Sequence, residues 1–169
     1  MSPKQSDDPA AVPQRLRAQA LTCTAQDIGV GPSDAGPRIF GILMETAYPE
    51  AVATLVVFTD GTTSMYFSTG GGVIGAGAHD SVRETHARLF AQAEALIDEF
   101  APARDTPLPG PGRVRFYLRT FQGTLSAEAA EDDLGYGRHA LSELFYAGHA
   151  VITAVREASE ADPAGSEEQ

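Results

Sequence analysis

The spacing of apolar and polar residues changes several times along this chain, and each change predicts an element. Val12, Leu16, Ala20 and Cys23 share one helical face, and Pro13 suits a first turn, where its missing N–H costs nothing, so a first helix is expected over 13–26. Residues 39–46 (IFGILMET) form a continuous apolar run, as in a strand buried on both faces. Two β-rich runs follow, over 53–59 and 62–69, separated by Asp60-Gly61, a strong hairpin signal. A type I′ turn there pairs Thr59 with Thr62. Val56 then faces Met65 and Thr54 faces Phe67 on one side, and Leu55 faces Tyr66 and Val57 faces Ser64 on the other.

A glycine-rich connection over 70–77 leads to the clearest helical pattern. Ser81-Val82-Arg83-Glu84 matches a capping box, and Val82, His86, Leu89, Ala93, Leu96 and Phe100 recur on one face until Pro102 ends the pattern. Val114, Phe116 and Leu118 alternate with Arg113, Arg115, Tyr117 and Arg119, which predicts a strand over 113–119. Gln122-Gly123 turns into another strand over 124–129, and an amphipathic stripe predicts a last helix over 141–155.

Tight turns between strands and helices with single apolar stripes define an α+β fold. The expectation is a two-layer sandwich, with a mainly antiparallel sheet of about five strands and two main helices on one face. Its core draws on Val56, Phe58, Met65, Phe67, Leu89 and Leu96, together with Phe116, Leu118, Leu144 and Val151. One domain over 10–157 is expected, flanked by a disordered tail over 1–9 and a disordered acidic tail over 158–169.

Composition narrows the partners. The 169 residues are 43% hydrophobic, enough for a core without metal or disulfide support. Cys23 is the lone cysteine and reads as a small buried hydrophobe. No apolar N-terminal run or membrane-length stretch is present, so the expected compartment is the cytoplasm. A formal net charge of −11 opposes nucleic acid and anionic membranes, and neither is expected as a partner.

Candidate chemistry is sparse. Gly70, Gly71 and Gly72, after Ser68 and Thr69 and ahead of the helix start at Ser81, have the glycine content of an anion cradle, without a phosphate-loop or dinucleotide pattern. That gives one functional reading, a small-molecule or anion-binding protein or enzyme using the Gly70–Gly77 segment and Ser81. His86 and His149 lack helical ligand partners, so no metal and no cofactor are expected. Glu131, Asp132 and Asp133 precede Arg138 and His139; this reads as a solvated loop entering a helix more readily than as an acid–base set. Arg113, Arg115 and Arg119 would pair with Glu128 or Glu131 on the next strand. With no nucleophile–base set in view, a non-enzymatic protein-interaction or regulatory module, with a protein partner of unknown identity, is the leading expectation.

The stretches Gly41–Pro49, Thr54–Val57 and Asp60–Gly75, continued by Arg113–Leu118 and Ala129–Gly135, resemble a family of short uncharacterised bacterial proteins with no assigned activity. The resemblance spans most of the core and implies no catalytic residue. At the level of fold the chain is similar to roadblock and profilin-like modules, small α+β sandwiches that often dimerise and act as scaffolds. Three strands precede its middle helix and two follow, where roadblock modules have two and three.

A homodimer through the sheet is the last expectation. On the expected register Leu55, Val57 and Tyr66 face away from the helices, and together with Tyr117 they would form an apolar association surface. The alternative is that the N-terminal segment over 16–28 folds across this face within one chain.

Overall fold

The structure is a computed structural model and describes residues 8, 10–32 and 36–161. The expected tails lie largely outside the described residues, although 158–161 belong to the last helix. The chain begins with α1 (Ala11–Thr22) and then forms β1 (Ile39–Ala47), β2 (Val52–Phe58), β3 (Thr63–Phe67) and β4 (Gly72–Val73). Next come α2 (Asp80–Arg83), α3 (His86–Ala95), β5 (Ala101–Pro102), β6 (Arg113–Thr120), β7 (Gly123–Ala130), α4 (Glu131–Gly135) and α5 (Ser142–Ala161).

The strands form one antiparallel sheet in the order β4-β3-β2-β1-β6-β7-β5. The α+β class and the antiparallel sheet are as expected, but the sheet has seven strands rather than about five, and α1 packs on the face opposite α3 and α5, so helices cover both faces rather than one. The two extra strands have two residues each and sit at the edges, too short to show an alternation. β1 is central and buried at all nine positions, which accounts for its unbroken apolar run.

The β2–β3 hairpin departs from the expected register by one residue. Gly61 N–H donates to the Phe58 carbonyl at 3.0 Å, and Phe58 N–H donates to the Thr62 carbonyl at 2.9 Å. Only Gly61 has positive φ (97°), so Thr59-Asp60-Gly61 is a three-residue loop closed by a glycine bulge, not a type I′ turn. Val56 therefore pairs with Ser64, Leu55 with Met65 and Thr54 with Tyr66. A slip of one residue moves side chains to opposite faces. Leu55 and Val57 consequently pack with Ile42, Met44, Phe116 and Leu118 beneath the helices, rather than on the far face.

The helix layer is α3 and α5, joined by the short α2, with Leu89, Leu144 and Val151 in the core. The expected capping box does not form. His79 occupies the N-cap of α2, Ser81 is exposed inside that one-turn helix, and the chain breaks at Glu84 and Thr85 before α3 begins. Thr85 explains part of the break, because its Oγ1 donates to the Val82 carbonyl at 2.6 Å. α5 continues to Ala161, past the expected end near 155.

The opposite sheet face carries Phe40, Leu43, Val56, Phe58, Tyr66 and Tyr117. A bulge between Ile39 and Gly41 turns Phe40 onto this side. Val56 and Phe58 are thus core residues as expected, but under α1 and not under α3 and α5. Met65, Phe67 and Leu96 are only partly buried. α1 and the 3-10 turn at Gln26–Ile28 lie across this second core through Leu16, Ala20, Leu21, Cys23 and Ile28. The N-terminal segment therefore covers the face within one chain. The association surface drawn from Leu55, Val57, Tyr66 and Tyr117 is not a free surface, since all four are at most 4% exposed.

Candidate functional site

Residues paired across neighbouring strands share a face of the sheet. On the α1 side this rule places Tyr66, Thr54, Glu45, Arg115 and Glu128 in one polar row across β3, β2, β1, β6 and β7. Glu45 is fully buried, and a buried carboxylate requires partners. Arg17 supplies them from α1 as a bidentate fork, Nε to Oε2 at 2.7 Å and Nη2 to Oε1 at 2.8 Å, and Thr54 Oγ1 donates to Oε2 at 2.7 Å. Burial works against the charge on Arg17, but the hydrogen bond and charge of Glu45 outweigh it and leave the guanidinium more firmly protonated than usual.

Two more tethers hold the cover down. Arg119, in β6, donates to the carbonyls of Ala20 at 2.6 Å and Cys23 at 2.8 Å, and so caps the end of α1 while its guanidinium lies over Phe40. The proline-rich loop over 103–112 is tied in by Arg17 Nη2 to the Thr106 carbonyl at 2.8 Å and Tyr117 Oη to the Pro107 carbonyl at 2.6 Å. Burial pushes the Tyr117 phenol up to about 12, so it remains a donor across the ordinary pH range.

α1 does not cover the whole face. Beside it, over the corner formed by β2, β3 and β4, lies a groove of about 320 Å³. Val56, Phe58 and Tyr66 contribute from the sheet, Leu16, Ala20 and Ile28 from the N-terminal segment, and Ile74, 44% exposed, follows β4 on the far side. Gln19, Asp27, Thr62 and Ser64 add polar groups, and Cys23 lines the groove with its Sγ 3.8 Å from Arg119 Nη1. Tyr66 is 4% exposed, and its hydroxyl finds no hydrogen-bond partner among the described residues. Burial, followed by the charge of Glu45, raises its pKa well above the ordinary phenol value. Such an orphan is uncommon, because a buried hydroxyl without a partner costs about 1–3 kcal/mol.

The residues singled out in the sequence are placed differently from an anion cradle. Gly70, Gly71 and Gly72 close the β3–β4 hairpin, with Gly70 N–H donating to the Phe67 carbonyl and Phe67 N–H to the Gly71 carbonyl. Ser68 Oγ accepts from Val52 N–H at 2.9 Å, and Thr69 sits in the same turn. Ser81 begins no helix. The glycine-rich segment does reach the groove, through the apolar side chain of Ile74.

The other candidates serve structure. Glu131, Asp132 and Asp133 form the first turn of α4, Asp133 pairs with Arg138 at 3.2 Å, and His139 Nδ1 accepts from Leu141 N–H. Arg113 and Arg115 both pair with Glu128, at 3.3 and 2.6 Å. No group of three or more His, Cys, Asp or Glu side chains among the described residues is arranged to hold a metal, and no described helix is long and apolar enough to cross a membrane.

His86 and His149 carry a pH signature. His86 Nε2 lies 2.9 Å from Thr63 Oγ1, and burial, then Arg83, lowers its pKa below 6.5. His149 packs edge-on to Phe145 at 4.4 Å between ring centroids, and burial, then Arg156, lowers it likewise. Both are neutral in the fold above 6.5, where the unfolded chain is also neutral. As pH falls below that value the unfolded chain takes up protons first, so stability decreases until the folded-state values are passed. The melting temperature is expected to fall as pH drops through 6.5, and the fall should shrink in a His86→Gln/His149→Gln variant measured against wild type. An unchanged slope would remove these histidines as its cause.

Comparison with protein families, with curated proteins and with solved structures returns no match to this chain.

Proposed function

We propose that this protein is a small-molecule-binding module whose ligand occupies the groove between α1 and the β2–β3–β4 corner. One observation carries the reading: beside α1 lies an open groove whose lining is mainly apolar, with Leu16, Ile28, Val56, Phe58 and Ile74 set beside the polar groups of Gln19 and Ser64. Its volume, about 320 Å³, falls at the small end of ligand pockets, which span roughly 300–1,000 Å³ and combine apolar walls with a few polar groups. Binding also suits a regulatory role. α1 forms one wall, so a ligand that fits only the docked arrangement favours docking of α1, by about 2.7 kcal/mol at a concentration 100 times its dissociation constant.

The neutral fluorophore N-phenyl-1-naphthylamine tests the groove directly. Saturable fluorescence enhancement is expected with the folded protein. It should slow alkylation of Cys23 by iodoacetamide and be lost in Ser64→Phe, which fills the groove from β3. A non-saturating signal, or binding that leaves Cys23 labelling and the Ser64→Phe variant indifferent, would refute the proposal.

A further inference from the structure

We infer that the free edge of β7 docks a second copy of this chain, so that two sheets join through their β7 strands. This surface shares no residue with the groove. Backbone hydrogen-bond directions alternate along a strand. Glu131 N–H donates to the Gly112 carbonyl at 2.9 Å, so residues 123, 125, 127 and 129 also point their backbone groups at β6. On the other side Ala103 N–H donates to the Thr124 carbonyl at 2.9 Å, so residues 124, 126, 128 and 130 point outward. β5 takes up 124 and 126 and reaches no further, because the N–H groups of Glu99 and Phe100 turn back to the carbonyls of Leu96 and Ile97. The backbone N–H and C=O of Glu128 and Ala130 are left without a partner among the described residues. The rest of this edge is closed, since Pro102 faces outward from β5 and has no N–H to give. At the opposite edge, positive φ at Gly71, Gly72 and Gly75 bends β4 out of a regular ladder.

A second copy fits the open positions because they are related by a twofold axis at Ala129. Antiparallel pairing sets Glu128 opposite the partner's Ala130 and Ala130 opposite the partner's Glu128, with two hydrogen bonds at each pair. Every unpaired group of the edge is then used. Ala129 meets its own counterpart at the pair between them, where Cα atoms approach to about 4.5 Å and a methyl side chain leaves room. Charge is complementary on the α1 face. Glu128 lies opposite Arg115 in its own chain, and the partner's Arg113 lies one strand beyond the partner's small Ala130. Arg113 is 45% exposed and holds Glu128 only through Nε at 3.3 Å, so its remaining N–H groups are free to reach across. Asp133 is engaged by Arg138, and the unpaired Glu131 and Asp132 lie past the end of β7. The net charge of −11 opposes encounter, which salt relieves by screening. So short a pairing gives a weak, reversible dimer of micromolar affinity.

Sedimentation equilibrium of the full chain tests this at about 0.15 M salt, where the screening length is about 8 Å. A reversible monomer–dimer equilibrium is expected between about 1 and 200 µM. Ala130→Pro should weaken it at least tenfold, because by symmetry it removes two of the hydrogen bonds. Ala130 has φ −68° and ψ 134°, which proline adopts without strain, and its N–H has no partner within the chain to lose. The variant should therefore melt within about 3 °C of wild type in dilute solution. Hydrogen exchange on the wild-type chain reads the same edge without a substitution: the Glu128 and Ala130 amides should gain protection as concentration rises. A monomeric mass throughout, a dimer indifferent to Ala130→Pro, or exchange at Glu128 and Ala130 that ignores concentration would overturn the inference and leave the groove untouched.

Discussion

Arg17→Met is expected to destabilise the protein by about 3 kcal/mol, the low end for removing one partner of a buried ion pair. Glu45 is the reason. It is fully buried in the central strand, and Arg17, itself 19% exposed, provides its only opposite charge at hydrogen-bonding distance among the described residues. With methionine at 17 the carboxylate keeps only the Thr54 hydroxyl. Glu45→Met in the same chain should restore much of the loss, because a well-packed apolar pair replaces buried charge at little net cost. Urea unfolding of both single variants and the double variant closes the cycle. Additive losses, or an Arg17→Met cost below about 0.5 kcal/mol, would show that the pair does not anchor α1.

Gly72→Ala should have the second large effect, and one that Gly71→Ala does not share. Gly72 has φ +149°, and a Cβ there would overlap the Met65 carbonyl oxygen and come within 2.6 Å of Tyr66 Cα, both backbone atoms that cannot swing aside. Strain and overlap together set a cost of about 2–4 kcal/mol, limited by release of β4, which pairs through only two positions. Release also withdraws Ile74 from the groove, so fluorophore affinity should fall at least tenfold. Gly71 has φ +85°, and a Cβ added to it would meet nothing within 4 Å, so the alanine there carries only the backbone penalty of about 1–2 kcal/mol. Equal melting temperatures and equal fluorophore affinities for the two variants would contradict this account.

The larger elements were legible because their periods are unambiguous. β1 is unbroken in its apolar character, β6 alternates, and α5 carries a stripe that only a helix can bury. The hairpin register was not legible, because Asp-Gly suits both a two-residue turn and a three-residue loop with a glycine bulge, and the choice depends on which faces the finished sheet can bury. Ser81 and Glu84 have capping-box spacing, but His79 and the break at Thr85 end the helix within one turn. The groove left no local trace, since its walls come from Leu16 to Ile28, from β2 and β3, and from Ile74. One signal was available: Glu45 stands inside a run expected to be buried on both faces, which demands a cation from elsewhere in the chain. Arg17 sits next to Leu16 of the first helix stripe.

The tethers on α1 also impose an order of assembly. Its anchors are Glu45, 28 residues along the chain from Arg17, the Thr106 carbonyl, 89 residues along, and Arg119, 99 residues from Ala20. Only two residues of α1, Pro13 and Ala20, are buried, so the helix has little of its own to hold it before those anchors exist. Closing such long loops is slow, and contacts this distant form after the local hairpins. On a ribosome, α1 emerges well ahead of its anchors and is therefore held in waiting until β6 has been made and paired with β1, and the groove comes into being as the closing step of folding.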